Sequence, residues 1–321
     1  MTDGFALAND PAAAEAALRA DLARGDAVLE SVGPILRHLL GTTDPCLFGE
    51  EIIAVIRGMI DDLAQQLTTA VAVRTGQPSQ PIALAKLTEK LSANNLILAH
   101  IQTLALESQV SARLEARLGV DPVLSPLMRE LIASSEPGLS ALAMKLLAAQ
   151  ARFVQQCRRM QLPAAELPAE LMHQALALLR ECFGHDPQAQ DQVLAAEADL
   201  RSAYDEARSR LGLLAQVVDR MGPGVKAALS LPHAGLAIFL SALASNSGQE
   251  RDTLVLLTSE SQVVRLALVL RTAGLKPANL AAQIEMLHPD VVHRAYYHQL
   301  ASDQAGAFLA GSASSGIAQG Q

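Results

Sequence analysis

The chain has 321 residues, a formal net charge of −8 and a hydrophobic content of 50%. The negative charge argues against a nucleic-acid partner, because binding to a phosphate backbone requires a basic face. Aromatic residues are only 3% of the chain and tryptophan is absent. The β-branched and aromatic alternation of strands is therefore missing, and a composition rich in Ala and Leu predicts an all-α fold.

The first half of the chain predicts a series of helices. We expect a frayed N-terminus at residues 1–9 and an N-terminal helical bundle at 10–161. Asp10-Pro11 predicts the first helix start, since proline fits the first helical position. Gly25-Asp26 predicts the end of that helix, and Gly33-Pro34 predicts a kink or restart in the next. Later helices are predicted up to Gly76, over 81–91, over 96–118 after a break or cap at 92–95, and as a pair over 122–160.

The clearest break is the segment L-P-A-A-E-L-P, which predicts a linker at 162–168. Beyond it, short helices separated by turns predict a C-terminal HEAT-like array of short antiparallel helices over 169–303. A Gly/Ala/Ser-rich end predicts a flexible tail at 304–321. The predicted helices of the second half are one at 168–182, a long polar-rich one at 188–218 and short ones at 225–230, 233–246, 250–258, 277–287 and 290–300.

The stretch from Ser259 to Gly274 predicts one short helix with both ends marked. Ser259 and Gln262 have the spacing of a capping box, and Gly274 is placed to end the helix in a left-handed conformation. Four apolar residues at helical spacing predict one buried face, and three further apolar residues predict that the helix is covered on more than one side. The first set is Val263, Leu266, Ala267 and Leu270, and the second is Val264, Leu268 and Val269.

A segment beginning at Ser135 repeats the pattern of this stretch. S-E-P-G-L-S-A-L-A-M and S-E-S-Q-V-V-R-L-A-L share S-E-x-x-apolar-x-x-L-A-apolar, and each follows an apolar helix. Two such helix pairs predict a repeat, because each pair needs stacked neighbours to bury its apolar side. Chance similarity in an Ala/Leu-rich chain is the alternative.

The run V-R-L-A at Val264–Ala267 resembles the second helix of HEAT-type repeats. More broadly, Leu243 to Leu287 resembles the C-terminal part of an uncharacterised family of alphaproteobacterial all-helical proteins. The resemblance is carried by S-A-L-A-S-N-S-G-Q, the Ser259–Gly274 stretch and R-T-A-G-L-K-P-A-N-L. It implies a helical-repeat fold, and it implies no assigned activity and no functional residues.

Two E-x-x-H motifs provide the only metal pattern that the sequence suggests. Glu170 with His173 and Glu285 with His288 have the spacing that places a carboxylate and an imidazole on one helical face. Paired motifs of this kind bind two irons in four-helix bundles when two further glutamates join them. The candidates for those glutamates are Glu107, Glu197 and Glu206. Both motifs lie at helix ends, where Glu and His also complement the helix dipole, and we therefore predict no metal and no cofactor site.

Other polar residues do not form a site by their spacing. His288, His293 and His298 recur every five residues, which does not place them on one helical face. Tyr296 and Tyr297 are predicted packing residues, and Cys182 with His185 has no partner pair. Two arginine groups are predicted to be solvated faces; they are Arg152, Arg158 and Arg159, and Arg201, Arg208 and Arg210.

The location of the chain is predicted from its cysteines and its apolar runs. An odd cysteine number without a CxxC pair predicts a reducing cytoplasm. The acidic N-terminus does not predict a secretory signal. The run Ala227–Gln249 is long enough to span a membrane, but Pro232, His233 and Asn246 interrupt it. We predict that it is a buried core helix.

These features predict a non-enzymatic, cytoplasmic protein–protein interaction or scaffold module with no catalytic residues, and the resemblance implies a bacterial origin. The expected partner is another protein, and the broad apolar faces also allow a homodimer. Two alternatives stay open at this point: a metal-dependent, di-iron-like helical-bundle enzyme, and a binder of apolar small ligands.

Overall fold

A computed structural model describes residues 11–41, 50–76, 81–183, 187–290 and 302–317. The structure is 86% helical, and its described residues form fourteen helices and no strand. The prediction of an all-α fold is confirmed. The HEAT-like arrangement of the second half stays a prediction.

The helices before the predicted linker are α1 (Pro11–Gly41), α2 (Glu50–Thr75), α3 (Pro81–Ala93), α4 (Asn95–Leu118), α5 (Pro126–Ile132) and α6 (Pro137–Arg158). Those that follow it are α7 (Ala169–Phe183), α8 (Pro187–Ala203), α9 (Arg210–Met221), α10 (Leu231–Ser247), α11 (Arg251–Leu256), α12 (Val263–Thr272), α13 (Pro277–Leu287) and α14 (Ser302–Ile317). Short 3-10 turns occur at Ala164–Glu166, Glu206–Arg208, Gly222–Leu229 and Glu260–Gln262.

The chain divides into two compact units, each assembled from separate stretches of sequence. Unit 1 comprises Met1–Val32, Val110–Ser135 and Val218–Gln321, and unit 2 comprises Gly33–Gln109 and Glu136–Val217. The segment 162–168 lies inside unit 2 in this division. The domain scheme drawn from the sequence stays a prediction.

Unit 1 has the apolar helix α10 in its core. Residues 234–243 of this helix are all buried, and α10 packs against α5, α11 and α12. Gly235 interrupts the helix with a φ of 71°, at a point where a methyl group would lie 3.2 Å from the Ser125 side chain. The prediction of a buried core helix is confirmed. Among the described residues, we find no helix with the length and apolarity needed to cross a membrane.

Unit 2 is built around α2, which packs against α3, α7 and α8. The buried side chains of α2 recur at helical spacing, which explains why one face of the helix is covered. They are Ile53, Ile56, Met59, Ile60, Leu63, Ala64, Leu67 and Val71. α3 also packs against α7. Between α3 and α4, the Asn94 carboxamide oxygen accepts hydrogen bonds from the amides of Leu96 (3.1 Å) and Ile97 (3.0 Å), which confirms the break predicted at 92–95.

The stretch from Ser259 to Gly274 is partly as predicted. Its apolar residues are buried, including Leu268 and Val269 on the second side, except Val264, which is half-buried. Gly274 has a φ of 90°, which confirms the left-handed end. The capping box is wrong, because the Ser259 side chain makes no capping hydrogen bond. The Gln262 side-chain carboxamide nitrogen instead donates to the backbone carbonyl of Gly25, at 2.7 Å.

Two expected helix breaks in the N-terminal region do not occur. Gly25 and Pro34 both lie inside α1, which runs from Pro11 to Gly41. A methyl group at Gly25 would lie 2.8 Å from the Gln262 side-chain oxygen. Glycine at position 25 therefore allows Gln262 to pack closely within unit 1, and it does not end the helix.

The single helix predicted at 188–218 is wrong, because α8 ends at Ala203 and α9 begins at Arg210. Polar side chains stabilise the break. The Asp205 carboxylate accepts a hydrogen bond from the amide of Ala207 (3.1 Å), and the Ser209 hydroxyl accepts one from the amide of Gly212 (3.1 Å). Short polar side chains at these positions form hydrogen bonds with backbone amides, and these bonds compete with the backbone hydrogen bonds of a continuous helix.

Predictions for the end of the chain have mixed outcomes. Residues 302–317 form α14, whereas the flexibility predicted for the tail stays a prediction. The helix predicted at 290–300 falls almost entirely on residues 291–301, which lie outside the described part of the chain.

Candidate functional site

The main buried polar centre of unit 2 is formed around Arg210, whose side chain is 3% exposed. Its two terminal nitrogens each donate to a different carboxylate oxygen of Glu107, at 2.8 and 2.9 Å. One of them also donates to the Gln150 carboxamide oxygen, at 3.4 Å. Burial alone would lower the pKa of Arg210, and the adjacent Glu107 carboxylate raises it above its ordinary value. The guanidinium is therefore charged, and its charge is neutralised inside the protein.

Three elements position this centre. Glu107 lies on α4, Gln150 lies on α6, and Arg210 is the first residue of α9. Ser209 stabilises the start of α9, and the Glu166 carboxylate accepts a hydrogen bond from the amide of Arg210, at 2.7 Å. The bidentate pair holds α4 and α9 in one register, because guanidinium and carboxylate are both planar. The hydrogen bond to Gln150 attaches α6 to the same centre.

A phenyl ring and a thiol complete the surroundings of Arg210. The guanidinium carbon lies 3.7 Å from the centre of the Phe153 ring, which is a cation–π contact. Burial raises the pKa of the Cys157 thiol to about 11, against the opposite effects of the Ser108 hydrogen bond and of Arg210. The thiol is consequently protonated at neutral pH and is a poor nucleophile.

A small cavity lies beside these groups. Its volume is about 20 Å³, and its lining includes Phe153, Cys157, Glu166 and Arg210. A volume of this size holds one water molecule, which needs about two to four polar partners to be stable. The cavity has no room for an organic substrate. The Arg210 centre can therefore hold helices and a water, but it offers no nucleophile and no substrate volume.

The segment that follows α6 crosses α2 through side-chain-to-backbone hydrogen bonds. Asp62 accepts from the amide of Leu162 (2.9 Å), and Gln66 bonds both the Leu162 carbonyl (3.0 Å) and the Ala164 amide (3.0 Å). Gly58 lies one turn before Asp62, where a methyl group would approach the Met160 Cβ to 2.5 Å. The predicted linker is thus a packed segment within unit 2, with Leu162, Ala164 and Leu167 buried.

The two E-x-x-H motifs have different surroundings. Glu170 and His173 are exposed on α7 in unit 2. In unit 1, Glu285 is exposed, whereas His288 is 7% exposed at the end of α13. His185, His293 and His298, like Tyr296 and Tyr297, lie outside the described residues.

The glutamates considered as further metal ligands are engaged elsewhere. Glu107 pairs with Arg210, and Glu197 is buried in ion pairs with Arg180 (3.2 Å) and Arg201. Glu206 accepts a hydrogen bond from the amide of Ala169, at 3.2 Å. Across the ranges that the structure describes, no three His, Cys, Asp or Glu side chains form a group that could hold a metal ion.

The Arg210 centre was missed because its arginine was assigned to a solvated face. The structure corrects this assignment: Arg201 and Arg208 are exposed, but Arg210 is buried. Helical spacing could have found it, because Leu213, Leu214 and Val217 follow Arg210 at i+3, i+4 and i+7 and are all buried. Likewise, Glu107 has apolar neighbours on one face of α4. A charge on the apolar face of each of two helices predicts a buried pair.

We compared this chain with protein-family models, with curated proteins and with solved structures, and none of them matches it.

Proposed function

We propose that this protein is a non-enzymatic interaction or scaffold module that binds another protein. The main observation behind this proposal is that short helices of unit 1 pack on one another. α10 contacts α11 and α12, and α12 contacts α13. Helices stacked in this way present extended surfaces that bind partner peptides or domains.

The buried polar groups of unit 2 support a binding role over a catalytic one. Arg210 pairs with Glu107, and Glu197 pairs with two arginines. Groups engaged in such pairs hold helices together and are not available to a substrate. The protonated Cys157 thiol supports the same conclusion, since only the thiolate is a good nucleophile.

Location and partner class follow as part of the same proposal. Cys157 and Cys182 are free thiols, which supports the reducing cytoplasm as the compartment. The net charge of −8 supports a protein partner over a nucleic acid. The resemblance of Leu243–Leu287 to an alphaproteobacterial helical family supports a bacterial origin and a repeat-like second half. A homodimer is the alternative assembly.

A tagged pull-down from native cytoplasm, with mild cross-linking and mass spectrometry, tests the proposal. We expect one protein partner in stoichiometric amount, cross-linked to the surface of the stacked helices, and the purified pair should co-elute in size-exclusion chromatography. Recovery of the chain alone would contradict the proposal. Recovery of a stoichiometric dimer of the chain would support the homodimer in its place.

Two further measurements test the alternative functions. Elemental analysis of the purified protein would reveal stoichiometric iron, manganese or zinc if the E-x-x-H motifs held a metal. Native mass spectrometry would reveal a co-purified apolar ligand if the bundle enclosed one.

A further inference from the structure

The last described helix, α14, packs against α12 in unit 1. Ala305 is completely buried. A methyl group added at the neighbouring Gly306 would lie 4.0 Å from the Thr272 Cγ2. The two helices therefore approach closely through small residues. A second contact joins α14 to α1, because the Arg19 guanidinium lies 6.0 Å from the centre of the Phe308 ring.

The α12 surface beneath α14 is apolar. Leu266, Ala267, Leu268, Val269 and Leu270 are all completely buried, and α12 is surrounded by α10, α13 and α14. Leu268 precedes Thr272 by one helical turn, so it lies on the same face as the residue that contacts Gly306. Departure of α14 would expose this face to water, and an apolar face of a helix is a common docking surface for another helix.

α14 is a poor helix by its own sequence. Its 16 residues, S-D-Q-A-G-A-F-L-A-G-S-A-S-S-G-I, include three glycines and four serines. Each glycine disfavours the helix about fivefold relative to alanine. The helix consequently depends on its packing against α12, because an isolated segment of this length and composition does not stay helical in water.

We propose that α14 is an intramolecular cover of a helix-binding face on α12, and that the partner is an amphipathic helix that displaces it. This inference rests on the proposed interaction function and assigns the surface and the class of partner. The cover itself indicates the class of partner, because it is a helix that packs on α12 with Ala305 and Gly306 at the contact. A partner helix would also need a small residue at this contact. With alanine where α14 has its other glycines, it would form a helix at a lower conformational cost than α14 does. It must still compete with a tethered segment present at an effective concentration on the order of millimolar.

The test uses a fluorescein-labelled peptide of residues 302–317 that carries Gly306→Ala, Gly311→Ala and Gly316→Ala. Its affinity is measured by fluorescence anisotropy for the full chain and for two variants of the full chain. Ala305→Asp places a carboxylate in a fully buried position and should undock the native α14. Ala307→Asp introduces the same charge at an exposed position of the same helix and is the matched control. We expect the peptide to bind Ala305→Asp about tenfold or more tightly than the native chain, and Ala307→Asp about as weakly as the native chain.

A third variant shifts the equilibrium in the opposite direction. Gly306→Ala adds a methyl group at ordinary contact distance from Thr272. It should stabilise the docked α14 and weaken peptide binding about fivefold. This variant keeps the inference testable if Ala305→Asp loosens unit 1 as a whole, which loss of hydrogen-exchange protection in α10 would reveal.

Equal affinity of the peptide for all four proteins would overturn the inference, as would failure to bind Ala305→Asp while α10 stays protected. The proposed function fails separately. A stoichiometric partner that cross-links away from α12 would support the interaction function and contradict the cover, whereas peptide binding without any cellular partner would do the reverse.

Discussion

At the scale of single residues, two glycines in helices are required by close contacts with other parts of their own unit. Gly25 faces Gln262, and Gly58 faces Met160. Met160 lies two residues after the end of α6 and has a φ of 55°, a conformation that costs a non-glycine residue about 1–2 kcal/mol. The side chain is nevertheless accommodated there because Gly58 leaves room for it.

The Gly58–Met160 contact predicts a coupled pair of substitutions. Gly58→Ala should destabilise the protein by about 1–3 kcal/mol, because the overpacking outweighs the gain in helix propensity. In a Met160→Gly background the added methyl group no longer meets a Cβ, and the same change should cost much less. Urea unfolding of the four proteins measures the coupling.

The matched control for this cycle is Gly306→Ala, also inside a helix, where an added methyl group would lie at an ordinary contact distance of 4.0 Å from the Thr272 Cγ2. It should stabilise the protein by up to about 1 kcal/mol. Equal losses from Gly58→Ala in both backgrounds would show that the close contact is not the cause.

Arg210 predicts a large loss when one member of a buried ion pair is removed. Arg210→Met should destabilise the protein by about 3–5 kcal/mol, because it leaves the Glu107 carboxylate buried without its partner. Adding Glu107→Met should restore much of that stability, since neither charge then remains. Thermal and urea unfolding measure both.

Arg208→Met is the control, because Arg208 is exposed two residues away, and a change of about 0.5 kcal/mol or less is expected. A small effect of Arg210→Met, similar to that of Arg208→Met, would contradict the role assigned to the buried pair.

At the scale of elements, whether a helix start is capped depends on whether the side chain before it accepts a hydrogen bond from a backbone amide of the first turn. Ser209 caps α9 through its hydroxyl, whereas Ser230 precedes α10 without a capping side-chain hydrogen bond. Ser259 resembles Ser230 in this respect, since its hydroxyl donates to the carbonyl of Leu256 (2.9 Å). A serine before a helix therefore predicts a helix start more reliably than it predicts a cap.

The two serines provide a matched prediction. Ser209→Ala should destabilise the protein by about 1 kcal/mol, because the Gly212 amide loses its acceptor. Ser230→Ala should change stability by about 0.5 kcal/mol or less, as no capping bond is lost. The midpoints of urea unfolding compare them, and equal losses would contradict the capping role of Ser209.

At the scale of the whole molecule, His288 predicts how stability depends on pH. Burial lowers the pKa of His288 below 6.5, and Arg113 and Arg117 lower it further, against the opposite effect of Glu260 and of a backbone hydrogen bond with Thr258. The unfolded chain therefore binds a proton more readily than the folded protein. The contribution of His288 to stability is fully present above pH 6.5 and is lost as the pH falls below this value.

His288→Gln should reduce the loss of stability between pH 7.5 and pH 5, by about 1.4 kcal/mol for each pKa unit that separates the two states. His173→Gln is the control, because His173 is exposed on α7. Urea unfolding at each pH gives the comparison. If the stability of the His288→Gln protein fell with pH as much as that of the native protein, the role assigned to His288 would be contradicted.

The sequence by itself determined the helical class of this protein, because Ala/Leu composition and helical spacing act locally. The buried face of Val263, Leu266, Ala267 and Leu270, the left-handed Gly274 and the buried run within 227–249 follow from the same local rules. Each depends on residues within one or two turns, so the printed sequence contains the necessary information.

Only the tertiary structure decided which polar residues meet. Gly25 was taken for a helix end, Gln262 for a cap and Arg210 for a solvated residue, yet each has a partner far along the chain within its own unit. Arg210 and Glu107 are separated by 103 positions, and Gln262 and Gly25 by 237. The spacing within a helix shows that a polar side chain lies on a buried face. It does not show which side chain pairs with it, because the pairing is set by the packing of separate helices.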